Sequence, residues 1–163
     1  PVSLATPFAV KRINVRSALD MHAAVMAQLP QADVFIATAA VADWRPATAA
    51  DQKIKKDGSG DTPELHFIEN PDILATVAQS PRGQNGSLFC VGFAAESHDL
   101  LAHATAKRAR KGVPLLVGNI GPSTFGQDDN ALLLVTAQGT EEMPLASKKA
   151  LAHALIKRIA QAI

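Results

Sequence analysis

The chain of 163 residues contains no tyrosine, one tryptophan and one cysteine. The single cysteine, Cys90, cannot form an internal disulfide, and there is no second cysteine to complete a zinc site. It stands inside the apolar run LFCVGF, which favours a small buried side chain. With Trp44 alone and no tyrosine, the chain lacks the aromatic residues that stack on nucleic-acid bases.

Long hydrophobic runs and an excess of one charge are also missing. No apolar run reaches the ~18 residues of a membrane span, and no signal peptide is visible. The formal net charge is +1, without the broad basic excess of a nucleic-acid binder. We therefore expect a cytoplasmic α/β protein with no membrane or nucleic-acid partner, although a nucleic-acid contact through a local lysine cluster stays open as an alternative.

Several catalytic motifs are absent. The chain has no G-x-S-x-G elbow, no Walker A loop and no H-E-x-x-H motif. Its five histidines show no metal-ligand spacing, and His98 and His103, five positions apart, are expected to face differently. No pair of carboxylates stands out for acid–base work. This inventory favours a reaction that depends on positioning and charge neutralisation over nucleophilic catalysis by the protein.

Stretches typical of strands and helices alternate along the chain. The predicted strands are residues 11–15, 33–40, 88–96, 114–120, 130–136 and 141–145. The predicted helices are residues 17–29, 70–79, 97–112 and 147–163. This order predicts a three-layer, Rossmann-like α/β fold whose mainly parallel sheet has an antiparallel edge. We expect Asn70 to cap the second helix, with Pro71 at its first position, and Ser97 to cap the third.

The segment DQKIKKDGSGD (51–61) concentrates positive charge. Residues 53–56 and 64–68 alternate in polarity around a Gly-Ser-Gly tip, which predicts a two-stranded, lysine-bearing flap. Lysines protect exposed edge strands from aggregation, so a structural role is one interpretation. The other is a lid that closes on a phosphate chain.

Ligands of open parallel sheets bind beyond the carboxyl ends of the strands. At the end of the second predicted strand, the small residues Ala37, Thr38 and Ala39 would let a ligand approach the backbone, and Asp43 could accept its hydroxyl or amino protons. The alternative is that the alanines pack and Asp43 caps a turn. At the next strand end, Phe93 could cover a base or ribose, or belong to the core.

Lys107 and Lys111 stand one helical turn apart, on one face of the third predicted helix. Together with the lysines at 53–56 they could bind a polyanion. The competing interpretation is that they complement the negative end of the helix dipole.

Six segments, taken in order and spacing, resemble one enzyme family. They are AAVADWRP, KIKK, NPDIL, VGFAAE, AKRARKG and DDNALLLV. From about Val2 to its end, the chain resembles phosphopantothenoylcysteine synthetase, which in bacteria is usually the C-terminal half of a bifunctional coenzyme A biosynthesis protein. The resemblance implies a ligase that activates 4′-phosphopantothenate with CTP as an acyl-cytidylate. The amine of cysteine then attacks, giving the amide and CMP.

The resemblance also implies a set of site residues. The residues that would contact or frame the nucleotide are Ala37, Thr38, Ala39, Asp43, Asn70, Pro71, Asp72, Ile73 and Phe93. Lys53 would act at the triphosphate or the acyl-cytidylate, and Lys107 and Lys111 would hold phosphates. Mg²⁺ would neutralise the remaining charge. The family also implies a homodimer. The choice of CTP rather than ATP as the nucleotide rests on these motifs alone.

The chain departs from the family pattern in two places, at its start and at the end of the predicted strand 114–120. The family's first strand, its Gly-rich turn and an asparagine-bearing segment have no counterpart here, so we expect residues 1–163 to be one domain lacking those parts and impaired in the full reaction. Ile120 stands where relatives commonly have aspartate. No flavin is expected in this domain. A non-catalytic, Rossmann-like nucleotide-binding fragment is the alternative function.

Overall fold

The computed structural model describes residues 4–48, 52–55, 58, 62, 64–124 and 126–163. The chain divides into two compact units. Unit 1 comprises Pro1–Ala27 and Ala40–Asp72, and unit 2 comprises Gln28–Ala39 and Ile73–Ile163. Every helix in the described ranges is too short or too polar to span a bilayer.

The described elements are as follows. The helices are α1 Ala18–Gln28, α2 Ile73–Ala78, α3 Pro81–Gln84, α4 Leu100–Lys111, α5 Gly121–Thr124 and α6 Lys148–Ala162, with a 3₁₀ turn at Leu29–Gln31. The strands are β1 Val34–Ala37, β2 Trp44–Pro46, β3 Phe67–Glu69, β4 Phe89–Glu96, β5 Leu115–Ile120, β6 Asp129–Val135 and β7 Thr140–Ser147.

Unit 2 contains a five-stranded sheet in the order β1-β4-β5-β6-β7. Strand β4 pairs in parallel with both β1 and β5, whereas β6 is antiparallel to β5 and to β7. The antiparallel edge predicted from the sequence is therefore confirmed. Ala37 pairs with Gly92, and Glu96 pairs with Ile120, so β1, β4 and β5 all end at one edge of the sheet. We call this edge the carboxyl rim.

Helices cover both faces of this sheet, as the predicted three-layer fold requires. On one face, Val91 and Val117 belong to a buried cluster with Leu151, Leu155 and Ile159 of α6. On the other face, the small residues of β4 and β5 allow α2 and α4 to pack closely. A Cβ atom at Gly92 would lie 2.6 Å from Cδ2 of Leu74, and one at Gly118 would lie 2.8 Å from Cδ1 of Leu100.

Local signals fix the ends of the two long helices of unit 2. The hydroxyl of Ser147 accepts a hydrogen bond from the amide of Ala150 at 3.2 Å and so caps α6. Helix α4 ends at Gly112, whose φ of +68° lies in the left-handed region that glycine tolerates best. Its N–H donates to the carbonyl of Arg108 and closes the last turn.

Unit 1 contains α1 and a short two-stranded ribbon. Ser17 and Asp20 cap α1 reciprocally, because each side chain accepts a hydrogen bond from the backbone N–H of the other. The ribbon pairs β2 with β3 in antiparallel register, Arg45 facing Ile68. The bond from Ala47 N–H to the His66 carbonyl continues the pairing at 2.8 Å.

The observed ribbon differs from the predicted flap in the residues that form its first strand. Residues 53–55 are exposed and form no strand, and the first strand is instead Trp44–Pro46. The alternation in KIKK was misleading because a strand also needs a partner, and the partner of β3 comes from 44–46. Lys56 and most of the Gly-Ser-Gly tip lie outside the described residues.

Other boundaries also differ from the prediction. Residues 11–15 form no strand. The segment 33–40 is shorter than predicted, and β1 is only half-buried because it lies at the edge of the sheet. Helix α2 begins at Ile73 rather than Pro71, because Asn70 is held in the ribbon instead of capping a helix.

Candidate functional site

The carboxyl rim of unit 2 brings together several of the predicted residues. Ala37 ends β1, and Thr38 and Ala39 follow it with exposed backbone and small side chains. Ala37 pairs with Gly92 in the middle of β4, so β4 continues four residues beyond the end of β1. Thr38 and Ala39 are therefore accessible at this edge, and their contact with a ligand remains a prediction.

Glu96, the last residue of β4, holds two cationic or potentially cationic groups of α4. Its carboxylate lies 3.8 Å from Nζ of Lys107 and 3.5 Å from Nδ1 of His103. The side chain of Glu96 is only 21% exposed, so the pair with Lys107 is partly shielded from water. The ion pair holds the ammonium group of Lys107 beside this edge, whereas Lys111 is the last residue of α4, next to the turn that leads into the amino end of β5. Sequence reasoning missed Glu96, although it ends the motif VGFAAE.

His98 and His103 lie close together, contrary to the prediction that they face differently. Their ring centroids are 5.1 Å apart in an edge-to-face arrangement. The prediction applied helical spacing to both residues, but α4 begins only at Leu100. Asp99, at φ +45°, has a left-handed backbone conformation just before the helix. Helical spacing therefore does not determine the direction of His98 relative to His103. Asp99 also replaces Ser97 as the residue at the N-terminal boundary of α4.

The two remaining predicted residues of unit 2 differ in burial, and both contact the core. Phe93 is half-buried and packs against the α6 side of the core, which is the core alternative considered for it. Ile73 is buried at the start of α2. Gly92 is crowded by Leu74 and Leu116, so its missing side chain makes room for protein atoms.

Asn70 connects the two strands of the ribbon in unit 1. Its amide Nδ2 donates to the Ala42 carbonyl at 2.8 Å, and its backbone N–H donates to the Asp43 carbonyl at 2.7 Å. Its Oδ1 accepts from the guanidinium of Arg45 at 3.1 Å, and the same nitrogen of Arg45 donates to the carbonyl of Glu69. These bonds fix the backbone on both sides of Asp43, whose side chain is exposed. Arg45 was missed by sequence reasoning, although it stands in the motif AAVADWRP.

The other predicted residues of unit 1 show fewer constraints. Lys53 is exposed, as are its described neighbours from 52 to 55. Pro71 is half-buried and Asp72 is exposed. Asp43, Lys53, Asn70, Pro71 and Asp72 all belong to unit 1, whereas Ala37–Ala39, Ile73, Phe93, Lys107 and Lys111 belong to unit 2.

A polar network follows the end of β5. Asn119 donates from Nδ2 to Oγ1 of the buried Thr124 at 2.9 Å, and Nζ of Lys148 donates to the Thr124 carbonyl at 3.0 Å. The network ties the rim end of β5 to the start of α6. The departure at Ile120 therefore lies in a turn that is fixed by its own hydrogen bonds.

Two further features do not belong to the carboxyl rim. Burial raises the pKa of the Cys90 thiol, which disfavours the reactive thiolate. A cavity of about 410 Å³ opens at the amino ends of β4 and β5, lined by Gln84, Phe89, Arg108 and Val113 among others. Ligands of open α/β sheets bind at the opposite edge, so we assign the candidate site to the carboxyl rim despite the size of this cavity.

Comparison with known proteins matches the chain to one family. The family model for the DNA/pantothenate metabolism flavoprotein C-terminal domain matches residues 1–163. The coenzyme A biosynthesis bifunctional protein CoaBC of Vibrio cholerae serotype O1 is 44% identical over 162 residues, covering 98% of this chain and 40% of that protein. CoaBC of Escherichia coli K12 is 42% identical over 163 residues, with 98% and 39% covered.

A solved structure shows the same fold. The crystal structure of the C-terminal domain of CoaBC superimposes with a TM-score of 0.78 at 29% identity, covering 99% of this chain and 70% of that one. The Rossmann-like α/β fold predicted from the sequence is thereby confirmed. The chain spans about 40% of the length of the curated CoaBC relatives that it matches.

Proposed function

Because the chain belongs to the DNA/pantothenate metabolism flavoprotein C-terminal domain family, we propose that it acts in coenzyme A biosynthesis as a phosphopantothenate–cysteine ligase. The proposed substrates are CTP, 4′-phosphopantothenate and cysteine. The main support is the similarity to CoaBC along nearly the whole chain, which includes every segment predicted to contact the nucleotide. The proposal is also supported by the ion pair of Lys107 with Glu96, the last residue of β4, which holds an ammonium group near the strand end.

The proposed reaction has two steps. The carboxylate of 4′-phosphopantothenate attacks the α-phosphorus of CTP, forming the acyl-cytidylate and releasing pyrophosphate. The amine of cysteine then attacks the acyl carbon, forming the amide and releasing CMP, while one amine proton passes to solvent. Both steps bring anions together, so the protein's main contribution is to neutralise and position charge.

Lys107 is suited to binding phosphate at the carboxyl rim. In the free protein its ammonium group is 3.8 Å from the Glu96 carboxylate, which restrains its position. An ammonium group already held in place loses less conformational entropy when it binds a phosphate oxygen. We assign Lys107 to the phosphates and the segment Ala37–Ala39 to the nucleoside, whereas Phe93 and Ile73 are packed into the core and Lys111 lies at the far end of α4.

The resemblance also assigns nucleotide contacts to residues of unit 1. Asp43 would accept hydrogen bonds from the nucleotide, and the hydrogen bonds of Asn70 hold the backbone carrying Asp43 in place. Pro71 and Asp72 would continue this frame. Lys53, which is exposed, would contact the triphosphate or the acyl-cytidylate as the catalytic lysine.

Mg²⁺ fits this site only together with the nucleotide. Mg²⁺ prefers oxygen ligands and commonly takes one or two carboxylates plus substrate phosphates. Within the described ranges, the group of three side chains placed to hold a metal includes two histidines, which is not a magnesium donor set. We therefore assign most of the Mg²⁺ ligands to the phosphates, with Asp43 as an exposed carboxylate that could contribute. The ion would neutralise phosphate charge.

We also propose that the chain forms a homodimer. Unit 1 exposes large apolar side chains, including Phe8, which is fully exposed, and Trp44, Leu65 and Phe67, each more than half exposed. Apolar surface of this kind is typical of a protein interface. Sedimentation velocity should give twice the monomer mass at micromolar concentration, and a monomer across that range would contradict the proposal.

The nucleotide assignment can be tested by calorimetry. With Mg²⁺ present, we expect CTP to bind more tightly than ATP and NAD to show no binding. A preference for NAD would overturn the ligase assignment in favour of another nucleotide-binding function.

Turnover is tested by pyrophosphate release together with mass spectrometry of the amide product. The unaltered chain, which is expected to be impaired in the full reaction, sets the reference rate, and Lys53→Gln should lower that rate by about 100-fold or more, as for loss of a group that stabilises transition-state charge. Lys157→Gln on the exposed side of α6 is the matched control and should keep normal turnover. Equal rates for both variants would remove Lys53 from the proposed mechanism, and a matching loss of thermal stability would show that its role is structural.

A further inference from the structure

His98, Asp99 and His103 form a compact group of metal-ligating side chains at the start of α4. One ligand atom from each residue can be chosen so that all three lie within 4.8 Å of one another. We propose that this group binds a divalent transition-metal ion of the Zn²⁺ type. The site is separate from the Mg²⁺ that would accompany the nucleotide.

The donor set selects the class of metal. Two imidazole nitrogens and one carboxylate oxygen suit Zn²⁺, Co²⁺, Ni²⁺ and Cu²⁺ better than Mg²⁺ or Ca²⁺, which prefer oxygen alone. Three protein ligands also leave one position of a tetrahedral ion open to water or to another ligand.

The geometry requires only a small contraction. Bonds of about 2.0–2.2 Å to a tetrahedral Zn²⁺ place two ligand atoms roughly 3.5 Å apart. The observed limit of 4.8 Å exceeds this by about 1.3 Å. All three side chains are exposed, so rotation about their side-chain bonds can close that gap without disturbing the core.

Neighbouring polar groups already orient both imidazoles. Nδ1 of His98 lies 2.8 Å from the hydroxyl of Ser97, and Nδ1 of His103 lies 3.5 Å from the Glu96 carboxylate. Outer hydrogen-bond partners of this kind fix the ring orientation of metal-binding histidines and leave the other ring nitrogen for the ion.

The same carboxylate connects this group to the carboxyl rim, because Glu96 also pairs with Lys107. An ion bound to His103 would draw Glu96 toward that ring and loosen its hold on Lys107. Occupancy is therefore expected to change nucleotide affinity. This consequence depends on the proposed function, whereas metal binding itself does not.

The test uses the chain freed of any purification tag and stripped of metal with EDTA. Co²⁺ is titrated by visible absorption and Zn²⁺ by calorimetry, and one equivalent is expected to bind. His98→Gln and His103→Gln should each weaken Zn²⁺ binding by about tenfold or more. His153→Gln, on the exposed surface of α6, is the matched control and should leave the affinity unchanged.

A second measurement does not depend on variants that fold. Imidazole NMR of the unaltered chain should show Zn²⁺ shifting the ring nitrogens of His98 and His103 while those of His153 stay unchanged. Zn²⁺ affinity that is the same in His98→Gln, His103→Gln and the control, or shifts spread over all histidines, would overturn the inference. If the unaltered chain binds Zn²⁺ but does not bind CTP, that result would count against the proposed function alone.

Discussion

The hydrogen bonds of Asn70 allow a quantitative prediction for Asn70→Ala. The substitution removes the bonds from Nδ2 to the Ala42 carbonyl and from Arg45 to Oδ1. A typical intramolecular hydrogen bond contributes about 0.5–1.5 kcal/mol, so the sum is about 1–3 kcal/mol. Because Asn70 is half-exposed and water can replace part of the loss, we expect the lower part of this range, about 1–2 kcal/mol.

Hydrogen exchange of the ribbon measures this loss directly. The amides to follow are those of residue 70, bonded to the Asp43 carbonyl, and of Ala47, bonded to the His66 carbonyl. A loss of 1–2 kcal/mol corresponds to roughly 5–30-fold faster exchange if both amides exchange by local opening. CTP affinity should fall in parallel, because the backbone that carries Asp43 is then less well fixed.

Asn85→Ala provides the matched control. The Oδ1 of Asn85 accepts a bond from the Ser87 amide at 2.9 Å in an exposed turn of unit 2. Its loss should leave exchange of the ribbon amides unchanged. If Asn70→Ala behaves like this control, the hydrogen bonds of Asn70 do not hold the ribbon together and the argument about Asp43 is wrong.

Three further predictions concern stability and reactivity. Gly92→Ala should lower the free energy of unfolding by about 1–3 kcal/mol through overpacking, and the cost should shrink when combined with Leu74→Ala; additive costs in denaturant titrations would refute this. Hydrogen bonds from Ser17 lower the pKa of Asp20, so its stabilisation of α1 is present above the ordinary carboxyl pKa and lost as pH falls through the lowered value. NMR acid titration should show this loss, and Asp20→Asn should abolish it. Because burial raises the pKa of Cys90, a thiol reagent should react far more slowly with the native chain than with the unfolded one; equal rates would contradict the burial.

The sequence predicts the elements whose own residues determine their burial. The run Phe89–Glu96 becomes a central strand because its apolar residues can be covered on both faces. In α6, Leu151, Leu155 and Ile159 recur at helical spacing, and all three are buried. Capping residues such as Ser17 act within four positions, so they too can be recognised locally.

The failures depend on partners that are distant in the chain. Residues 53–55 alternate like a strand, but β3 pairs with residues 44–46 instead. Asn70 is a residue type that often caps helices, yet its side chain donates a hydrogen bond to the carbonyl of Ala42, 28 positions away. His98 and His103 approach each other through a left-handed residue that helical periodicity does not anticipate. In each case the tertiary contact decides the outcome.

The location of bound CTP tests the central claim most directly. Amide exchange of the chain should be compared with and without CTP and Mg²⁺, with peptides resolved across unit 2. We predict protection at the carboxyl rim, in Ala37–Ala39 and around Glu96 and Lys107. Protection confined to the cavity at the amino ends of β4 and β5, around Gln84 and Val113, would contradict the assignment of the nucleotide site.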